Sequence, residues 1–147
     1  MSIEVSRPLL EQLHRHLETA WPGEGAGFLL GRDHGDQRQV TAILPLPNAR
    51  EESARYNRFL LTPEDFLKGE VEAERLELSL LGVFHSHPDC PNRPSEYDRE
   101  WAMPWFSYLI TRVDGLNGVG LAVSDLSWRL EENRLSYTEE PVVILGE

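Results

Sequence analysis

The hydrophobic and polar positions along the chain follow two spacings, one typical of helices and one typical of strands. The leucines of RPLLEQLHRHLETAW recur at helical spacing and predict a helix over residues 7–21. A second helix is predicted from Thr62-Pro63 to about residue 78, because a threonine cap followed by proline favours a helix start. Gly69 is expected to be a weak point of that helix.

Strands are predicted where short apolar or alternating runs are bounded by proline, glycine or polar clusters. A turn at Asp114-Gly115 is expected to join the two strands that flank it, and a short helix is expected over 94–103. Because strands outnumber helices and the helices fall between them, the pattern predicts an α+β (mixed α/β) fold around one sheet. The predicted strands cover 26–31, 39–46, 55–61, 78–87, 105–113 and 118–126, with one or two more after residue 127.

Length and composition favour one soluble globular domain over residues 1–147. Hydrophobic residues make up 40% of the chain and charged residues 27%, as in ordinary globular proteins. The longest apolar runs, such as residues 78–84, are too short to cross a bilayer, and the N-terminus shows no signal peptide. The single cysteine, Cys90, excludes an internal disulfide and indicates a reducing cytoplasm.

The formal net charge of −11 comes from 25 acidic and 14 basic residues. Such a surface repels phosphate backbones, so we expect no nucleic-acid partner. A salty cytoplasm or a basic protein partner would suit it.

Candidate chemistry is concentrated in HSHPDCPNRPSEYD (85–98). His85 and His87 lie two positions apart at the end of a predicted strand, so their imidazoles should project from one side and reach one zinc ion. His14 and His16 have the same spacing on a predicted helix, where they differ by roughly 200° around the axis. The helical pair is therefore predicted to diverge and to lie on the surface.

A catalytic zinc ion usually takes three protein ligands and leaves the fourth position to water. The third ligand is expected from Asp89, Glu96, Asp98 or Glu100, although Asp89 follows the proline where the chain turns away. Ser95 and Asp98 also have the spacing of a helix-capping box, which is compatible with a ligand role. Cys90 is interpreted as an ordinary loop cysteine, because a thiolate ligand would displace the water.

A general base must come from elsewhere, since the helical zinc-peptidase signature H-E-x-x-H is absent. Glu24, in WPGEGAGFLLG, is the best candidate, and its neighbours Gly23, Gly25 and Gly27 were expected to let backbone approach the ion. The alternative is a solvated turn glutamate. A phosphate-binding loop is excluded, because no G-x-G-x-x-G and no Gly-Lys-Ser/Thr sequence is present.

Together these residues resemble the JAMM (JAB1/MPN+, Mov34) zinc metalloprotease family, compact bacterial type. HSHP (85–88), six intervening residues and SEYD (95–98) match its motif, and Glu24 matches within EGAGFLLG. The resemblance covers about residues 5–130 and implies a curved mixed sheet flanked by helices. A zinc deaminase, whose fold is related, needs P-C-x-x-C, which one cysteine cannot supply.

The resemblance implies that His85, His87 and Asp98 bind one zinc ion with a bound water. Glu24 would be the general acid/base, and Ser95 would stabilise the oxyanion. It further implies hydrolysis of an amide bond at the C-terminus of a ubiquitin-like sulfur-carrier protein with a C-terminal diglycine, for example removal of a terminal cysteine or adduct. Two alternatives remain. One is a deubiquitinase-like isopeptidase acting on lysine-linked conjugates. The other is a non-catalytic protein-binding MPN module that has no metal or uses the zinc site structurally, with a fourth protein ligand in place of water.

Overall fold

The computed structural model describes residues 1–47, 61–95, 102–133 and 136–146. Its two described helices are α1 (Arg7–Ala20) and α2 (Pro63–Leu76). The described strands are β1 (Ser2–Ser6), β2 (Ala26–Asp33), β3 (Gln37–Leu46), β4 (Ser79–Pro88), β5 (Ser107–Leu116), β6 (Val119–Leu130), β7 (Tyr137–Glu140) and β8 (Val142–Leu145).

All eight described strands belong to one mixed sheet, in the order β7-β6-β5-β4-β2-β3-β1-β8. Strand β1 is parallel to β3 and to β8, and β4 is parallel to β5, whereas the other neighbours are antiparallel. The predicted α+β class is confirmed. Strand β1 was not predicted, although Ile3 and Val5 alternate with polar residues and are both buried.

The two helices lie on opposite faces of the sheet. Helix α1 is capped by Ser6, whose side chain accepts a hydrogen bond from the Leu9 amide at 3.3 Å. Its leucines pack with Phe84 and Leu109 in one core, while Phe28 and Val83 pack with α2 in the second core on the other face. Neither described helix has the length and apolar character needed to span a membrane.

Helix α2 begins with the predicted threonine cap, which here is a complete capping box formed by Thr62 and Asp65. The helix continues through Gly69, because this glycine allows close packing: a Cβ there would lie 3.0 Å from the Phe28 ring. It ends at Leu76, where the left-handed Glu77 terminates it. The predicted strand over 55–61 and helix over 94–103 fall largely outside the described residues.

The hairpin between β5 and β6 turns at Asn117-Gly118, so the predicted turn at Asp114-Gly115 is wrong. Asn117 and Gly118 have φ values of 54° and 82°, the left-handed conformations that a tight type I′ hairpin turn requires. Gly115 lies within β5 and is required for packing, since a Cβ there would come within 1.9 Å of the Trp21 ring. A glycine needed for close approach was therefore mistaken for a turn.

Candidate active site

The two histidines of the predicted metal pair stand at the end of β4, in the middle of the sheet. His85 and His87 project from the same face, with ring centroids 5.2 Å apart and an interplanar angle of 52°. Both are nearly enclosed, at 7% and 5% exposure. Flanking β2 and β5 fix the strand, so the separation of the rings is set by backbone pairing.

The His87 ring is oriented by the loop that follows it. Its Nδ1 lies 2.8 Å from the carbonyl oxygen of Pro91. Because a carbonyl only accepts hydrogen bonds, Nδ1 must carry the proton, and Nε2 is then the nitrogen with the lone pair. Metal-binding histidines commonly have this arrangement, in which the second nitrogen donates to a carbonyl and fixes the tautomer. The His87 environment therefore fits a zinc ligand.

Asn92 holds that loop in place, a role that sequence reasoning missed. Its Nδ2 lies 3.2 Å from the carbonyl oxygens of Ile110 and Ser124, on β5 and β6. Its own carbonyl accepts a hydrogen bond from the Trp128 indole at 3.2 Å. Asn92 is buried at 7% exposure, and it anchors the peptide that presents the neighbouring Pro91 carbonyl to His87.

Glu24 is brought to the same end of the sheet. Strand β2 runs antiparallel to β4, so its beginning lies beside the end of β4. Continuing the observed pairing of Ala26 with His85 by two residues predicts that the half-buried Glu24 lies near His87. Two hydrogen bonds between Gly25 and Ser86 support this extension, from Gly25 N to the Ser86 hydroxyl (2.9 Å) and from Ser86 N to the Gly25 carbonyl (3.1 Å).

The glycines beside Glu24 do not serve the expected approach to an ion. A Cβ on Gly25 would lie 2.9 Å from the Ala20 side chain, and one on Gly27 would lie 2.4 Å from the Phe84 ring. Both glycines therefore face the α1 side of the sheet, opposite the histidines. They let β2 pack closely against the helix and Phe84, and the earlier interpretation was wrong for them.

The other candidate ligands have different positions. Asp89 points away from the pair: its carboxylate accepts hydrogen bonds from the Gly115 amide at 2.7 Å and the Trp21 indole at 2.9 Å. These bonds, the Gly115 bond first, lower the pKa of the Asp89 carboxyl below its usual value. Cys90 and Ser95 are exposed.

Asp98, Glu96 and Glu100 lie outside the described residues. Within the ranges that are described, no group of three or more His, Cys, Asp or Glu side chains is placed to hold one ion. The described part of the site therefore consists of the two histidines and Glu24, and the third ligand remains the sequence-based expectation of Asp98.

The helical histidine pair diverges as predicted. His14 Nε2 lies 2.9 Å from an Asp125 carboxylate oxygen on β6, whereas His16 Nε2 lies 3.0 Å from the carbonyl oxygen of Ala26 on β2. Both rings are partly buried, so their predicted surface position is wrong. The reason is that α1 packs closely on the sheet and gives each ring a polar partner there.

Solved structures share this architecture across nearly the whole chain. A protein of Desulfitobacterium hafniense, determined in solution, matches with a TM-score of 0.79 and 28% identity, over 99% of this chain and 94% of that one. A Salinibacter ruber protein matches with a TM-score of 0.71 and 36% identity, over 97% and 91%. A JAB1/MPN domain protein from Archaeoglobus fulgidus has the same fold, with a TM-score of 0.52 and 20% identity, over 97% and 99%.

The prokaryotic homologues of the JAB domain match residues 6–131, and the chain belongs to this family. One relative, a probable TtuB-protein conjugate cleaving protease of Thermus thermophilus, is 37% identical over 115 residues, or 76% of this chain and 71% of that protein. A desampylase of Pyrococcus furiosus is 34% identical over 82 residues, or 56% of this chain and 54% of that protein. The predicted family resemblance is confirmed.

Proposed function

We propose that this protein is a zinc-dependent peptidase or isopeptidase. Its substrate would be a ubiquitin-like protein of the sulfur-carrier type, cut at the amide bond that follows the C-terminal diglycine. The observation that carries the proposal is the same-face pair His85 and His87, with ring centroids 5.2 Å apart. Two hydrogen bonds between Gly25 and Ser86 attach the loop that carries Glu24 to the same end of β4.

His85, His87 and Asp98 would hold the zinc ion. Two imidazoles and a carboxylate form a donor set that zinc accepts in catalytic sites, and the Pro91 carbonyl already fixes the tautomer of His87. When bound, zinc supplies a Lewis acid that polarises the scissile carbonyl and makes water more acidic.

The chain's own residues would then move the proton and steady the developing charge. Glu24 accepts a proton from the attacking water and passes it to the departing amine, a task suited to its half-buried position in the loop bonded to the end of β4. Ser95, which lies at an exposed position, donates a hydrogen bond to the developing oxyanion.

The names of the relatives support a protein substrate. The Thermus thermophilus relative is named for cleaving TtuB-protein conjugates, and two archaeal relatives are named desampylases. These names favour a lysine-linked conjugate as a second substrate beside a linear C-terminal extension. We also propose that residues 1–147 form one domain acting in the cytoplasm, where an exposed lone Cys90 would stay reduced.

The test is to incubate the zinc-loaded protein with two substrates built on one small ubiquitin-like carrier. In the first the carrier is extended by a short peptide after its diglycine, and in the second its diglycine is joined to a lysine side chain. Product masses should show cleavage directly after the diglycine. Cleavage of the linear form supports trimming of carriers, and cleavage of the lysine-linked form alone supports the conjugate-specific alternative.

The matched control is Glu24→Gln, which keeps the size of the side chain and removes its basicity. This variant should bind zinc normally and leave both substrates intact. If the wild type cleaves neither substrate although zinc is bound, a non-catalytic binding module is the better interpretation. If Glu24→Gln cleaves as fast as the wild type, the role assigned to Glu24 is wrong.

A further inference from the structure

The loop that carries Glu24 is attached to the end of β4 at two places. The first, called here the inner contact, joins Gly25 to Ser86 through the two hydrogen bonds of 2.9 and 3.1 Å. Gly25 directly follows Glu24, and Ser86 stands between His85 and His87. Ser86 is fully buried, so its hydroxyl gives the Gly25 amide an acceptor that water cannot replace.

The second attachment, called the outer contact, joins Trp21 to Asp89. The Trp21 indole N–H donates to one Asp89 oxygen at 2.9 Å, and the Gly115 amide donates to the other at 2.7 Å. Trp21 precedes Glu24 by three positions, and Asp89 follows His87 by two. One carboxylate therefore links the α1–β2 loop, the end of β4 and the β5–β6 hairpin.

Trp21 itself is held firmly on the sheet. A Cβ on Gly115 would come within 1.9 Å of its ring, and a Cβ on Gly120 would come within 2.5 Å of its Cβ. Because these two glycines have no side chains, Trp21 can pack directly against the β5–β6 hairpin. The Trp21 ring packs against the hairpin, and its N–H donates a hydrogen bond to Asp89. Trp21 therefore fixes the direction in which the chain approaches Glu24.

We propose that Ser86, Asp89 and Trp21 are positioning residues that hold Glu24 over the His85–His87 pair. The inference rests on the proposed function, in which Glu24 is the general acid/base. The inner and outer contacts lie on either side of Glu24 along one strand and of His87 along the other. Together they fix both ends of the short segment that carries Glu24, so that its carboxylate keeps one distance from the histidines.

The two hydrogen bonds that Asp89 accepts allow its positioning role to be tested separately from packing. Two donors converge on Asp89, and a carboxylate has an oxygen for each, whereas an amide has only one. Asp89→Asn therefore breaks one of the two bonds at constant size. Its φ of 55° is a conformation that asparagine tolerates as well as aspartate, so the backbone should not be strained.

The experiment compares Asp89→Asn, Trp21→Phe and Ser86→Ala with the wild type in their zinc-loaded forms. The matched control is Glu72→Gln, the same change of acid to amide at an ion pair with Arg75 on α2. Turnover of the carrier substrate and amide hydrogen exchange at Gly25 are measured on the same samples. The exchange measurement needs no activity and reports directly on the loop.

Each of the three variants should speed exchange at Gly25 and lower kcat by about tenfold, because a misplaced catalytic group loses up to about 100-fold for 1 Å. KM and zinc content should not change, and Ser86→Ala combined with Asp89→Asn should lose more than either alone. Glu72→Gln should match the wild type in both measurements. A merely structural contact would lower the melting temperature and leave kcat of the folded protein unchanged.

Unchanged exchange at Gly25 in all three variants would overturn the inference whether or not the protein is active. So would faster exchange with normal kcat in a protein that Glu24→Gln inactivates. If instead the wild type shows no hydrolysis, the proposed function fails by itself. The exchange data then still decide whether these contacts hold Glu24.

Discussion

Two histidine pairs with the same spacing, His85–His87 and His14–His16, have opposite arrangements in this molecule. The pair on β4 projects from one face with its rings 5.2 Å apart. The pair on α1 is split between Asp125 on β6 and the Ala26 carbonyl on β2. The element that carries the residues decides whether the two imidazoles can share an ion.

The pairs also differ in their polar partners. Asp125 binds His14 directly, with both oxygens within 3.0 Å of Nε2, and so occupies the nitrogen that a metal would use. His87 is bound through Nδ1 by a carbonyl, an arrangement that directs Nε2 as the ligating nitrogen. Whether a histidine can bind a metal therefore depends on which of its ring nitrogens is already hydrogen-bonded, as well as on the spacing of the pair.

The largest expected difference between the pairs is in metal content. His87→Ala should abolish zinc binding and with it all hydrolysis, because one imidazole and one carboxylate cannot hold the ion at catalytic strength. His14→Ala should keep the zinc content of the wild type. Metal analysis of the purified proteins measures both, and equal zinc in the two variants would contradict the assignment of the β4 pair.

The next largest effect is expected when Glu24, on the side of the β4 pair, is compared with Asp125, which binds His14. Glu24→Gln should lower kcat by roughly 10²–10⁴-fold with zinc retained, the usual loss on removal of a general acid/base. Asp125→Asn should lower thermal stability and leave the turnover of the folded protein close to that of the wild type. Single-turnover kinetics and thermal unfolding distinguish these outcomes. A comparable loss of kcat in both variants would contradict a catalytic role that belongs to Glu24 and not to Asp125.

A smaller effect is expected at the loop that orients His87. Asn92→Ala removes the anchor of the Pro91 carbonyl and should weaken zinc affinity by about 10–100-fold, as loss of an indirect metal contact typically does. Competition with a chelator of known affinity measures the change. Normal zinc affinity in a folded Asn92→Ala protein would show that the Pro91 carbonyl keeps its place without the asparagine.

The smallest effect concerns stability on the α1 side. His14→Ala removes the partly buried hydrogen bond to Asp125 and should cost about 1–2 kcal/mol of the free energy of unfolding. The neighbouring Arg15→Ala, on the exposed side of the helix, serves as the control and should change it by less than about 0.5 kcal/mol. Urea unfolding of both proteins tests the difference, and equal stabilities would contradict it.

Sequence patterns predicted what depends on local chemistry. The period of the leucines located α1, the threonine cap located the start of α2, and the alternation of side chains on a strand predicted the same-face histidines. The surroundings of Glu24 and the family motif both indicated this residue, whereas antiparallel pairing, which no local pattern gives, brings the beginning of β2 beside the end of β4.

Residues that act through a distant neighbour could not be predicted from local patterns. Gly115 was predicted to be a turn glycine because its packing partner, Trp21, lies 94 positions earlier in the chain. Asn92 and Asp89 read as loop polar residues, because their partners on β5, β6 and the α1–β2 loop are assembled only by the fold. Two local signals were present and overlooked: the Asn117-Gly118 turn and the alternation of Ile3 and Val5 in β1.

The parallel pairing of β1 with β8 joins two strands that lie far apart along the chain. Ile3 pairs with Val142, so these two strands can meet only after β2 to β7 have left the ribosome. Contacts of such long sequence separation also form slowly. We expect the central strands around the histidines to assemble first on the nascent chain, with the β8 edge added last.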